Sequence, residues 1–173
     1  MNYSFRPIRK LKQQPLLTYV SKGALAAEPT SNRPQGPDYN VRRLIRLWEE
    51  RAAPYTCVRT LDESEHSHDF ARADLFRAGD LVFDSVRCSI LRNPKFKRFY
   101  EDIGTPPIIM IGGRLESTII ATSLDAYWSN IHLTVVRDAV LASHNWSDGE
   151  CVTLFKAISN FVDVVDTAFF AND

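Results

Sequence analysis

Apolar and polar residues alternate along this chain in several rhythms, and each predicts an element. The densest apolar stretch is 106–122, PPIIMIGGRLESTIIAT, in which Gly112-Gly113 separates two runs rich in β-branched residues. Two such runs on either side of a glycine pair predict a β-hairpin with a tight turn. In that register Met110 faces Leu115 and Ile108 faces Ser117, while Ile111 and Ile109 face Arg114 and Glu116. One face is then apolar and the other mixed.

Helical rhythm dominates elsewhere. Val41, Leu44, Ile45 and Trp48 recur at i, i+3, i+4 and i+7 behind Asn40, a plausible N-cap, and Pro54 sets the stop at Ala53. Residues 55–61, YTCVRTL, have strand composition. An acidic turn follows, then a short predicted helix over 69–78 closed by Gly79. Val86, Cys88 and Ile90 alternate as in a strand, so 81–91 is assigned as one. Asn93-Pro94 introduces a short basic helix over 95–102. From Ser123 a stripe of Leu124, Trp128, Ile131, Val135, Ala139 and Ala142 predicts a helix, against which the β-branched run Thr134-Val135-Val136 argues for a third strand.

The last segment has the sharpest local signal. Ser147-Asp148-Gly149-Glu150 is a capping box, and Cys151, Phe155, Ile158, Val162, Val165 and Phe169 repeat beyond it at spacings of four and three. The expected fold is therefore α+β: a small, mainly antiparallel sheet centred on a 108–122 hairpin, packed by the C-terminal helix and by the helix over 41–51.

Ahead of this body, Pro7, Pro15, Pro29, Pro34 and Pro37 break up residues 1–39. Proline at that density blocks long helices and central strands, so an extended N-terminal arm and linker is expected over 1–39, with one globular domain over 40–173. Charge sharpens this division. The 173 residues are formally neutral, yet eleven Lys or Arg and four acids lie up to Thr60, leaving +7 there and −7 in the rest. Opposite fields on one chain favour head-to-tail packing or an acidic partner.

Three widely spaced cysteines (Cys57, Cys88, Cys151) form no CxxC and are read as reduced, mostly buried thiols of an intracellular protein. No apolar run is long enough to span a membrane. The first 27 residues hold no acid. That composition suits an organellar presequence or a plain basic arm, so both cytoplasmic and organellar settings remain open.

Candidate chemistry is sparse. His66 and His68 sit among Asp62, Glu63, Glu65 and Asp69. The order His66, His68, Asp74, Gly79 resembles a cupin metal motif, which implies a first-row metal. The flanking sequence is polar and no further histidine motif follows, so neither metal nor cofactor is expected. Gly112-Gly113 precedes Arg-Leu-Glu-Ser and so supplies neither GxGxxG nor GK[ST]; GxSxG and HExxH are also missing. Aromatic and basic residues interleave at 3–6 and 95–100, as in single-strand binders.

The expected function is accordingly non-catalytic: an assembly subunit whose basic arm docks on a neighbouring copy, an acidic protein or a nucleic acid, with a membrane surface as a weaker option. Arg6, Arg9, Lys10, Lys12, Arg42, Arg43 and Arg46 are the expected partner-binding residues. A small-molecule-binding sensory domain and a metal-dependent enzyme using His66 and His68 are the alternatives.

Overall fold

The computed structural model describes residues 14–22, 36–60, 81–143 and 145–170. Its sheet has six strands: β1 (Leu16–Lys22), β2 (Tyr55–Thr60), β3 (Val82–Ser85), β4 (Ile108–Gly113), β5 (Leu133–Leu141) and β6 (Asp163–Val165). Their order is β3-β2-β1-β4-β5-β6, and every neighbouring pair is parallel. Helices α1 (Pro37–Glu50), α2 (Pro94–Asp102), α3 (Ile120–Trp128) and α4 (Asp148–Ile158) complete the described fold. The expected antiparallel α+β sheet is thus corrected to a doubly wound parallel α/β sheet.

The reason lies in β4. All six of its residues are buried. Ile108 and Met110 enter a core with Leu16, Val20, Phe96, Leu115 and Val135 on one face, while Ile109 and Ile111 join Leu17, Tyr19, Val41, Leu44 and Trp48 on the other. A continuous apolar run is what a central parallel strand covered on both faces requires, whereas a half-solvated hairpin alternates. Burying Ile108, Ile109, Met110 and Ile111 contributes on the order of 10 kcal/mol before chain entropy is subtracted. The glycine pair makes no hairpin turn. A Cβ on Gly112, whose φ is +88°, would lie 2.2 Å from the Val20 carbonyl oxygen, and one on Gly113 would lie 2.7 Å from that of Leu141. These glycines mark close approach to both neighbouring strands.

Part of the expected arm is structural too. Leu16–Lys22 is a central strand, hydrogen-bonded to β2 and β4. Pro15 sits just before it, where a missing N–H costs the ladder nothing. The helix at 41–51 stands as expected: Val41, Leu44, Ile45 and Trp48 are buried in α1. Its N-cap is Gly36, and the Asn40 side chain instead donates to the Asp138 carbonyl at 2.8 Å. The strand expected over 55–61 forms as β2 across Tyr55–Thr60, and Leu61 lies outside the described residues.

Downstream, the helical stripe from Ser123 ends at Trp128, and the β-branched run becomes β5. The single C-terminal helix is corrected in the same way. Its capping box forms, with Ser147 Oγ accepting from Glu150 N and Glu150 Oε2 from Ser147 N. The helix nevertheless ends at Ile158. Cys151, Phe155, Ile158 and Val162 pack on one sheet face, Val165 and Phe169 on the other. One straight helix cannot reach both faces, so the chain turns and inserts β6 between them. The predicted helix at 69–78 lies outside the described residues. No described helix is long and apolar enough to cross a membrane.

Candidate functional site

Six parallel strands leave one carboxyl edge. From β1 the described chain adds strands towards β2 and β3; from β4 it adds them towards β5 and β6. In open α/β sheets the reversal point opens a crevice beyond the strand carboxyl ends, and ligands bind there. In this chain it falls between β1 and β4.

The innermost positions at this edge are uncharged. Val20 near the end of β1, Thr60 ending β2, Ser85 ending β3 and Thr118 just after β4 are all buried. Acid–base chemistry at the crevice must therefore come from residues a step further out or from segments outside the described residues. Lys22 closes β1 at this edge.

Leaving β4, the chain passes a cis Gly113–Arg114 peptide and forms a single π-helical turn, Leu115–Ile119, before α3. Such turns are frequent at functional sites. Here the turn directs Glu116 towards Ser143, just past the end of β5. The Glu116 carboxylate accepts from Ser143 Oγ in a short contact and from Ser143 N at 3.4 Å. Arg114 Nη1 donates to Ser143 Oγ at 3.0 Å and lies 4.0 Å from Glu116. The Glu116 side chain is 15% exposed and that of Arg114 43%, so the carboxylate is sheltered while the guanidinium opens to solvent. A hydroxyl between a carboxylate acceptor and a guanidinium donor has the connectivity of an activated nucleophile.

Cys151, in the first turn of α4, stands near this group. Burial, and after it the carboxylates Asp148, Glu116 and Glu150, push its thiol above the ordinary value. It is held protonated, not as a reactive thiolate. Cys57 is buried, and Cys88, expected in the core, is exposed; all three thiols are free.

A second polar knot lies on the α1 side of the sheet. Asp138 accepts from Asn40 Nδ2 at 3.2 Å, from Thr167 N at 2.8 Å and from Thr167 Oγ1 at 2.6 Å. It ties α1 and the turn after β6 to an irregular stretch of β5, where the β4–β5 register shifts between Met110 and Gly112.

Of the residues expected to bind partners, Arg42, Arg43 and Arg46 lie together on α1, away from the Glu116 group; Arg6, Arg9, Lys10 and Lys12 lie outside the described residues, as do His66 and His68. No group of three or more His, Cys, Asp or Glu that could hold a metal occurs among the described residues. Arg114, Glu116 and Ser143 were missed as a site. The available signal was an unbroken apolar run ended by Gly-Gly and followed by charged residues, the mark of a buried parallel strand leaving its carboxyl edge.

No protein family profile matches the chain, and no curated protein does. Solved structures do match. A protein described as a hydrolase of the isochorismatase family from Chromobacterium violaceum shares 15% identity over 90% of each chain, with a TM-score of 0.73. The MAR1 ribonuclease of Caenorhabditis elegans shares 15% over 90% of this chain and 78% of its own, at 0.70. N-carbamoylsarcosine amidase from Thermoplasma acidophilum shares 16% over 90% and 97%, at 0.67. At these identities the likeness is one of fold, that of the isochorismatase-like hydrolases. It overturns the expected non-catalytic assembly subunit: the sheet is one on which hydrolases are built, and a strand from the supposed docking arm runs through its centre. The expectation of no enzymatic activity is corrected on the same finding.

Proposed function

We propose that the chain is a hydrolase acting on a small carboxamide or ester at the carboxyl edge of the sheet, over the ends of β4 and β5. Glu116 serves as general base, Ser143 as nucleophile and Arg114 as the group facing the developing oxyanion. The observation that carries this reading is the Ser143 hydroxyl held between the Glu116 carboxylate and the Arg114 guanidinium at the carboxyl edge of the sheet. The fold shared with hydrolases, an amidase among them, supports it.

In the proposed reaction the Ser143 proton passes to Glu116 as Oγ attacks the carbonyl carbon. The carbonyl oxygen takes up the negative charge opposite Arg114. Collapse of the adduct breaks the bond to the amine or alcohol, which leaves with the proton from Glu116. Water, deprotonated by Glu116 in turn, then attacks the acyl-serine ester, releasing the acid and restoring the hydroxyl. The protonated Cys151 thiol and the uncharged inner positions favour these three residues as the acid–base set. Three free thiols fit a reducing, intracellular setting.

A panel of small primary amides and p-nitrophenyl esters, followed by ammonia or nitrophenol release, tests the reading. Turnover by the full chain, lost in Glu116→Gln, is expected. No turnover across the panel, or equal turnover by Glu116→Gln, would overturn it.

A further inference from the structure

Away from the Glu116 group, the surface between α1 and the turn after β6 forms a cleft of about 400 Å³, a volume suited to a small ligand. Arg42, Arg43 and Arg46 line it, together with Tyr39, Thr167 and a single carboxylate, Glu50. Among the described lining residues, three guanidinium groups stand against one carboxylate, so these side chains make the cleft positive.

Helix geometry explains the convergence. Arg42 and Arg46 are one turn apart, and Arg43 is three residues from Arg46, so all three project from one side of α1. The apolar stripe of Val41, Leu44, Ile45 and Trp48 pins the opposite side to the sheet, which fixes the helix's rotation. A merely solvated helix face is laced with acids one turn away from its bases. Asp38 stands four residues before Arg42, and Glu49 and Glu50 three and four after Arg46, but Arg43 has Tyr39 and Leu47 at those positions, and Arg43 and Arg46 are exposed with no ion pair among the described residues. Three nearby acids are engaged elsewhere, Glu49 accepting from Tyr55 Oη at 3.3 Å, Asp166 pairing with Arg137 and Asp138 holding Asn40 and Thr167, while Glu50 stays in the lining. Tyr39, 48% exposed, offers a ring beside this field.

We infer that this cleft binds a small organic phosphate, its phosphoryl oxygens forked by Arg43 and Arg46 and its organic part lying against Tyr39. Guanidinium groups match phosphate in bidentate geometry, and an aromatic face suits a planar organic group. The observations favour a compact ligand over a nucleic acid. A polynucleotide needs a continued basic track, whereas Glu50 stands in this lining. The site is independent of the hydrolase reading, since α1 packs on one sheet face and the π turn leads to α3 and the other core.

Calorimetric titration of the full chain with adenosine monophosphate, glucose 6-phosphate, inorganic phosphate and a short single-stranded oligonucleotide tests the inference. At least one organic phosphate is expected to bind with Kd below about 1 mM. Inorganic phosphate should compete more weakly, and affinity should fall at least about tenfold in Arg43→Glu/Arg46→Glu and about threefold in Tyr39→Ala. Both arginines are exposed, so the double variant should keep its urea midpoint; should it fail to fold, Arg43→Gln supplies the same comparison. Binding of neither organic phosphate, affinity unchanged in the variants, inorganic phosphate binding as tightly as its esters, or preference for the oligonucleotide would overturn it. Because the readout is binding, failure here leaves the Glu116 reading untouched, and the reverse also holds.

Discussion

The two rows of residues at the carboxyl edge of the sheet differ in kind. The inner row, Val20, Thr60, Ser85, Gly112 and Thr118, is buried, uncharged and packed to the limit, since no side chain fits on Gly112. The outer row, Arg114, Glu116 and Ser143, is partly open and charged, and is joined by hydrogen bonds that contribute little to the core. The contrast separates stability from chemistry: the inner row holds the strands together, and the outer row has the groups that can move a proton. Substitutions should therefore sort by row.

The largest expected effect is in the outer row. Ser143→Ala should lower kcat about 10³-fold, about 4 kcal/mol of transition-state stabilisation, while leaving the urea midpoint nearly unchanged. A matching loss of stability would erase the distinction between the rows. Next comes Gly112→Ala, which places a methyl group against the Val20 carbonyl and the Tyr19 ring at positive φ. It should destabilise the chain by about 3 kcal/mol or more in urea unfolding, whatever it does to turnover.

Asp138→Ala is smaller. It leaves Asn40 Nδ2 and Thr167 short of a charged acceptor and should cost about 2 kcal/mol of stability. Catalysis should be spared, because the knot lies on the α1 side and touches no outer-row residue.

The smallest effect is at the opposite edge. Asp163 begins β6, 3.7 Å from His132 Nε2, and burial raises its pKa more than His132 lowers it. The folded chain therefore holds this proton to higher pH than the unfolded chain does. Stability should fall as pH rises from the ordinary aspartate range through the raised folded value, and Asp163→Asn should remove that part of the fall. Urea midpoints across the acid range check this; a slope of opposite sign, or one unchanged in Asp163→Asn, would contradict it.

Where sequence and structure agree, the cue is local. The stripe of α1 and the Ser147–Glu150 capping box depend on residues within a turn or two of each other, and both form. Where they part, the cue is long-range. Nothing within 106–122 tells that Gly112 abuts Val20, some ninety residues earlier, so the glycine pair reads as a turn. The C-terminal stripe reads as one helix because spacing does not reveal that Phe155 and Phe169 pack on opposite faces of one sheet. Leu16–Lys22 is short and preceded by Gln13-Gln14-Pro15, and it becomes a strand only because β2 and β4 lie on either side of it. The sequence can mark the exit of β4 ahead of Arg114 and Glu116 but not the pairing with Ser143, which is 27 residues from Glu116 and is brought to it only by the β4–π turn–α3–β5 unit.

The most direct test of the central claim is peptide mapping by mass spectrometry after brief exposure of the full chain to an activated acyl ester and acid quenching. Acylation at Ser143, absent from Glu116→Gln, is the predicted result. An unmodified Ser143, or an acyl group found on Cys151 instead, would contradict the account.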